Sequence, residues 1–205
     1  APFGAVQIGP NNINKGWDWC SGYHYSDSIV IGFSHLHLNG TGCSDTGDIL
    51  FMPYTGKART QPGTQQDPLA GYASYYSKDN ERALPGYYEV LLKTHRTKVE
   101  LTASDRVAFH RYTFPKDVEK HVMINLKDAN GDDRPTDTYL EQINDTVIRG
   151  YRYSTGWSKK QQIYFSAVFS QPVHLTLYHD SVQVAGNRLQ GLDVKGNVAV
   201  APVVE

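Results

Sequence analysis

Apolar residues in this 205-residue chain recur at intervals of two. Tyr88, Val90 and Leu92 alternate with Tyr87, Glu89 and Leu91, and Val99 and Leu101 alternate with Glu100 and Thr102. Val122, Ile124 and Leu126 share one parity, as do Ile163, Phe165, Ala167 and Phe169, and then Leu175 and Leu177. Successive strand residues point to opposite faces, so each set marks a strand with one apolar side. Turn signals separate the runs: Pro85-Gly86, Asn130-Gly131, Ser170-Gln171-Pro172 and Gly186-Asn187. No long window carries a helical stripe. Strands joined by short turns predict an all-β protein, a large antiparallel β-sandwich (supersandwich) formed as a single domain over 1–205.

The first eighty positions are less regular. Positions 5–8 (AVQI) predict a short strand, broken by Gly9-Pro10-Asn11-Asn12. Positions 28–33 (SIVIGF) and 49–52 (ILFM) predict buried strands bracketing the turn Asn39-Gly40-Thr41-Gly42. Positions 56–67 read as a loop, 73–84 as room for one helical turn, and 198–205 as a last strand. No repeat, low-complexity tract or linker divides the chain.

Composition narrows the function classes. The net charge of −1 gives no basic field for nucleic acid or anionic lipid. No apolar run approaches the roughly 20 residues of a membrane helix. Aromatic residues make up 12%, including 14 tyrosines, against 20% charged residues, so the surface is polar and aromatic rather than ionic.

The chemistry concentrates in positions 16–53, which hold two of the three tryptophans, both cysteines and three of the eight histidines. Trp17, Trp19, Tyr23 and Tyr25 offer flat faces with polar tips. Asp18, His24, Asp27, His35, His37, Asp45 and Asp48 surround them with hydrogen-bonding groups. Aromatic plates beside carboxylates and imidazoles suit a sugar, with its apolar C–H faces and rim of hydroxyls. A glycine-rich surface loop pinned by a few aromatics accounts for the same residues. His35 and His37, two apart, share a face and with His24 or Asp48 could ligate a metal, although no zinc spacing is matched. Asp18, Asp27, Asp45, Asp48 and Glu81 could supply a glycosidase carboxylate pair, but aspartates near turns usually bond their own backbone. Asp128-Ala-Asn130-Gly-Asp132-Asp133 starts like a calcium loop and then departs from it at Asp133 and Tyr139. Asn39-Gly-Thr41 and Asn144-Asp-Thr146 are glycosylation sequons. A Cys20–Cys43 disulfide would stabilise by about 3 kcal/mol in an exported protein; a buried reduced pair would suit the cytosol.

GWDWCSGYHYSDSIVIGFSHLHLNGTGCSDTGDILFMP, NERALPGYYEV, ELTASDRVAFHRYTFP and GYRYSTGWSKKQQIYFSAVFS, in that order, resemble segments of the N-terminal domain of glycoside hydrolase family 92. These are calcium-dependent, exo-acting α-mannosidases, and the likeness runs over 2–172. The resemblance implies a sandwich packed on a helical (α/α)6 catalytic barrel, with the active site between them. It implies an inverting exo-α-mannosidase of α-1,2 preference in the full-length protein, exported to the periplasm or beyond the cell. The acid, the base and the calcium ligands are expected mostly from the barrel, which nothing in this chain resembles, nor do the family's first strands precede Ala1. The isolated domain is therefore expected to be inactive, with an α-mannoside glycan and the barrel as partners and neither nucleic acid nor membrane among them. Within the domain, Trp17 or Trp19 would cover the sugar, one of them instead facing the barrel. Asp18, His35 and His37 would bond hydroxyls or hold the loop. Lys78 stands where relatives carry a histidine. A stand-alone carbohydrate-binding module or lectin is the alternative.

Overall fold

The computed structural model describes residues 4–38 and 44–201. Its strands are β1 (Gly9–Asn11), β2 (Ile29–Val30), β3 (Gly32–Ser34), β4 (Leu50–Thr55), β5 (Ser74–Tyr75), β6 (Glu81–Leu84), β7 (Tyr87–Leu92), β8 (Thr97–Ala103), β9 (Ala108–Thr113), β10 (Lys120–Asn125), β11 (Arg134–Asn144), β12 (Val147–Thr155), β13 (Gln161–Val168), β14 (Val173–His179), β15 (Val182–Val184), β16 (Arg188–Gly191) and β17 (Val194–Val200). Every pairing between them is antiparallel. Three single 3₁₀ turns, Trp17–Trp19, Pro68–Ala70 and Lys78–Asn80, are the helical elements among the described residues. None is long and apolar enough to cross a membrane.

Seven strands, in the order β1-β3-β4-β10-β17-β14-β15, make the middle layer. One face carries Phe51, Val122, Ile124, Leu175, Leu177 and Val198 and packs on Leu140 and Ile148 of the sheet β13-β12-β11-β16. The other carries Met52, Tyr54 and Met123 and packs on Val90, Leu92, Val99 and Leu101 of the sheet β6-β7-β8-β9. Both parities of β4 and β10 are thus apolar, because both sides of the middle sheet are covered. The outer sheets have one dry face and alternate cleanly, as β13 does with Ile163 and Phe165 inward and Tyr164 and Ser166 outward.

Four expectations change. The first strand is Gly9–Asn11 rather than 5–8. Pro10 is tolerated because β1 is an edge strand paired on one side only, to β3. Positions 28–33 divide into β2, which pairs β5, and β3, which joins the middle sheet, with the Ile31 N–H donating to the Asn11 carbonyl between them. Within 73–84 the 3₁₀ turn Lys78–Asn80 gives way to a strand at Glu81–Leu84. The last strand begins at Val194, four residues earlier than expected, and lies between β10 and β14. Cys43, and with it the Cys20–Cys43 disulfide, lies outside the described residues, as do the sequon at Asn39 and the turn at 39–42.

One ionic cluster joins these layers. Arg152 of β12, fully buried, sets Nη1 2.5 Å from Asp48 Oδ1 and Nη2 2.5 Å from Asp133 Oδ1, and donates from Nε to the Leu126 carbonyl at 2.9 Å. Gln161 donates to Asp48 Oδ2 and Ser154 to Asp133 Oδ2. Burial pushes the Asp133 carboxyl up, although Arg152 pulls it back. Arg152→Ala would leave two buried carboxylates without their cation. It is expected to cost about 3–5 kcal/mol, whereas Lys127→Ala, which breaks the half-exposed pair to Asp180, should cost less than about 1 kcal/mol. Urea denaturation of both variants tests this, and equal midpoints would contradict it.

Candidate functional site

Loops converge where β4 and β11 begin and β12 ends. Asn14 donates to Ser44 Oγ (3.0 Å) and to Asn130 Oδ1 (2.9 Å), and Asn130 Nδ2 donates to the Cys20 carbonyl (2.6 Å). Asp132 N–H reaches the Ser44 carbonyl. Gly131, at φ +66°, comes so close to Ser44 that a Cβ would sit 2.1 Å from Ser44 Cβ, so glycine is required there. The buried Asp45 accepts from the Trp157 N–H (2.8 Å) and the Thr46 N–H (2.9 Å). Between these segments lies a cleft of about 410 Å³ lined by Ser44, Asp45, Asp132, Arg134, Thr155, Gly156, Trp157 and Lys159. Trp157 stands 75% exposed on its rim.

The two tryptophans of the opening stretch take different parts. Trp17, Asp18 and Trp19 form one 3₁₀ turn beside the cleft, tied to it through Asn14. Trp17 is 66% exposed and Asp18 is exposed as well. Trp19 lies half-buried, stacked on His24 with centroids 4.1 Å apart and planes at 21°, and its indole N–H donates to Asp27 Oδ2 at 3.0 Å. Asp27 also takes Lys15 at 2.8 Å and the amides of Ser28 and Ile29. Burial raises the Asp27 carboxyl, but those four donors outweigh it and hold it below the usual carboxylate range.

His35 and His37 point into the loop's own structure. His37 donates from Nδ1 to the Gln7 carbonyl (2.7 Å), while Nε2 meets Ser34 Oγ (3.0 Å) and Asn11 Oδ1 (3.1 Å). His35 Nδ1 bonds the Ile49 carbonyl (2.6 Å) and Nε2 lies 3.0 Å from His110 Nε2, whose Nδ1 meets the Tyr112 hydroxyl at 2.7 Å. A carbonyl only accepts, so the chain has one direction. Tyr112 donates to His110, His110 to His35, and His35 to Ile49. The first two links require neutral imidazoles, since His110 and His35 each accept through one nitrogen, whereas the bond from His35 to Ile49 survives protonation.

The remaining carboxylates considered for catalysis are engaged structurally. Asp27, Asp45 and Asp48 hold the partners given above. Glu81 accepts from Tyr23 (3.0 Å), Tyr88 (2.7 Å) and Lys78 (3.0 Å). Lys78 itself sits within 4.6, 4.9 and 4.6 Å of the ring centroids of Tyr23, Tyr25 and Tyr76, so it braces the loop where a histidine was expected. Among the described residues no three His, Cys, Asp or Glu side chains are arranged to hold a metal ion. Trp157 is the residue that sequence reasoning missed. Its signal was a lone tryptophan in a Gly-Trp-Ser-Lys-Lys turn between two strands, outside the stretch dense in candidate groups.

A β-sandwich domain with exposed indoles around an open cleft between loops is thus what the chain builds. The profile of the Glycosyl hydrolase family 92 N-terminal domain matches residues 1–200, and the chain belongs to that family. Among solved structures, it is similar to the family GH92 alpha-mannosidase BT3965 from Bacteroides thetaiotaomicron, at 34% identity and a TM-score of 0.92 over 98% of this chain and 28% of that one. The same protein in complex with mannoimidazole matches at 34% and 0.92, over 98% of this chain and 27% of that one. The GH92 family glycosyl hydrolase ccman5 matches at 25% and 0.82, over 98% and 28%. The chain spans little more than a quarter of the length of these structures. No curated protein matches.

Burial holds His35 down to about 4, against the pull of the Ile49 carbonyl, and holds His110 down to about 3 with His35 adding to the effect. Both folded values lie below the free value of about 6.5. Their contribution to stability is therefore whole above about pH 6.5 and is lost as pH falls towards 4. Urea midpoints are expected to drop between pH 7 and 4.5, and to drop less in His110→Gln. An identical slope in that variant would remove the histidine chain as the cause.

Proposed function

We propose that this chain is the sugar-facing half of an exo-α-mannosidase cleft, with the indole of Trp17 against the mannose ring and Asp18 bonding hydroxyls. The observation that carries this reading is the 66% exposure of Trp17 on a turn locked, through Asn14, to the loop cluster that forms the cleft. An indole held on a rigid turn offers area at little entropic cost. Trp19 supports that turn from below through Asp27 and His24, and His35 and His37 hold the loop behind it. Support from outside the chain comes from the family and from a relative whose structure carries mannoimidazole. The proton-transferring carboxylates belong, on this reading, to polypeptide outside these residues. Inversion and α-1,2 preference are part of the same proposal. So is a calcium ion held chiefly by that other polypeptide, since Asp27, Asp45, Asp48 and Glu81 are engaged by donors of this chain. Export follows from the substrate, a glycan met outside the cytoplasm.

A half-cleft buries little of its ligand, so affinity for methyl α-mannoside is expected in the millimolar range at best, with no turnover of an aryl α-mannoside. Trp17→Ala should abolish the chemical-shift changes on titration and leave the urea midpoint nearly unchanged. Trp19→Ala should lower the midpoint, because it strips Asp27 of a donor. Micromolar binding would favour a self-sufficient lectin, and binding unaffected by Trp17→Ala would refute the assignment.

A further inference from the structure

The outer face of the β13-β12-β11-β16 sheet carries tyrosines instead of the usual short polar residues. Tyr139, Tyr151 and Tyr164 sit directly opposite one another on three adjacent strands, with Gln190 completing the row on the fourth. Adjacent strands lie about 4.8 Å apart, so the row spans roughly 14 Å. Tyr139 stacks on Tyr151 (5.4 Å, 14°) and Tyr151 on Tyr153 (4.5 Å, 24°), while Tyr164 is tilted 57° and 75° from Tyr151 and Tyr153 and is 66% exposed. The hydroxyls are oriented: Tyr151 donates to Asp137 Oδ2 (3.0 Å), Tyr139 to Glu141 Oε2 (2.8 Å), and Tyr153 bonds Tyr164. Gln190 adds a second donor to Asp137 Oδ2, and Arg149 pairs with Glu141 Oε2. The opposite face of the same sheet packs into the core through Leu140 and Ile148, so these rings are not spillover from it.

We propose that this face is a second carbohydrate-binding surface, which takes an uncharged, mannose-rich glycan chain and continues the cleft beside Trp157. Three features select that occupant. Acids and bases are balanced, Asp137 and Glu141 against Arg149 and Arg188, which suits a neutral ligand. The bonds given above to Asp137 and Glu141 fall on one oxygen of each, Oδ2 and Oε2, and carboxylate oxygens held beside aromatic rings bind sugar hydroxyls well. The face is also continuous with the cleft, because Thr155, which lines the cleft, follows Tyr151 and Tyr153 on the same side of β12. Thr155 lies about 13 Å from Tyr151 at strand rise. The choice of mannose rests on the function proposed above, but the surface and its residues do not involve Trp17.

Native electrophoresis of the chain in gels containing soluble α-mannan tests the proposal. Retardation is expected in the wild type and in Trp17→Ala, reduced at least five-fold in apparent affinity in Tyr153→Ala/Tyr164→Ala. Asp137→Asn, which keeps the rings and the packing, should weaken it as well. Absence of retardation, or equal retardation in the tyrosine variant, overturns the proposal. Loss in Trp17→Ala with retention in the tyrosine variant also overturns it and leaves the cleft as the sole site. Retardation by mannan without any response of Trp17 to methyl α-mannoside would support the surface and defeat the cleft reading. Sedimentation of a dimer that Tyr164→Ala dissolves, with no mannan binding, would overturn it too and assign the face to a second copy of the chain.

Discussion

One guanidinium organises the end of the molecule that matters. Arg152 holds Asp48, two residues ahead of β4, and Asp133, one residue ahead of β11, and it also holds the Leu126 carbonyl at the end of β10. Three strands from two layers are therefore clamped within a few residues of where they leave the sandwich. Such an ion cluster is a poor way to gain stability, since desolvating three charges offsets most of their attraction. Its value is positional. Asp45 lies three residues from Asp48 and caps the Trp157 amide, and Gly156 passes so close that a Cβ would stand 2.4 Å from Asp45 Oδ1. The cleft inherits its shape from that clamp.

Which parts of the molecule could be read from the chain depends on whether a strand keeps one face in water. Strands with one wet face announce themselves by alternation, and β7, β8, β13 and β14 were legible for that reason. LFMPYT, as β4, loses alternation because cores lie on both sides of it, and in KHVMIN, as β10, the parity of Val122 and Ile124 was legible while the burial of Met123 on the other side was not. The division of 28–33 into β2 and β3 was not legible at all. It depends on β5 and β1 arriving from distant positions to pair with each half.

The site was legible in its composition but not in its roles. Trp17 and Trp19 are two residues apart and chemically identical, yet one is bonded to Asp27 and the other faces solvent. A 3₁₀ turn rotates neighbours by about a third of a circle, and no local signal says which direction the core lies. His35 and His37 presented the converse difficulty. Their spacing put them on one face, as ligands or as supports of the loop, whereas the Ile49 carbonyl and His110, the latter seventy-five positions later, consume the nitrogens of one, and Gln7, Asn11 and Ser34 those of the other.

On the proposed reading, recognition rests on a division of labour between buried and exposed aromatic groups. Trp19, Tyr23, Tyr76 and Tyr88 have their polar tips bonded to Asp27, Lys78 or Glu81, and so form a stiff underlayer. Trp17, Trp157 and Tyr164 keep their surfaces open at 66%, 75% and 66%. A weakly hydrated ring on a rigid base loses little freedom when a sugar covers it, and the cost of ordering is where weak ligands lose most of their affinity. The chain therefore need not enclose a ligand to contribute to binding one. On that reading it supplies surfaces already ordered before the ligand arrives, and a partner closing over them would add buried area without having to order them again.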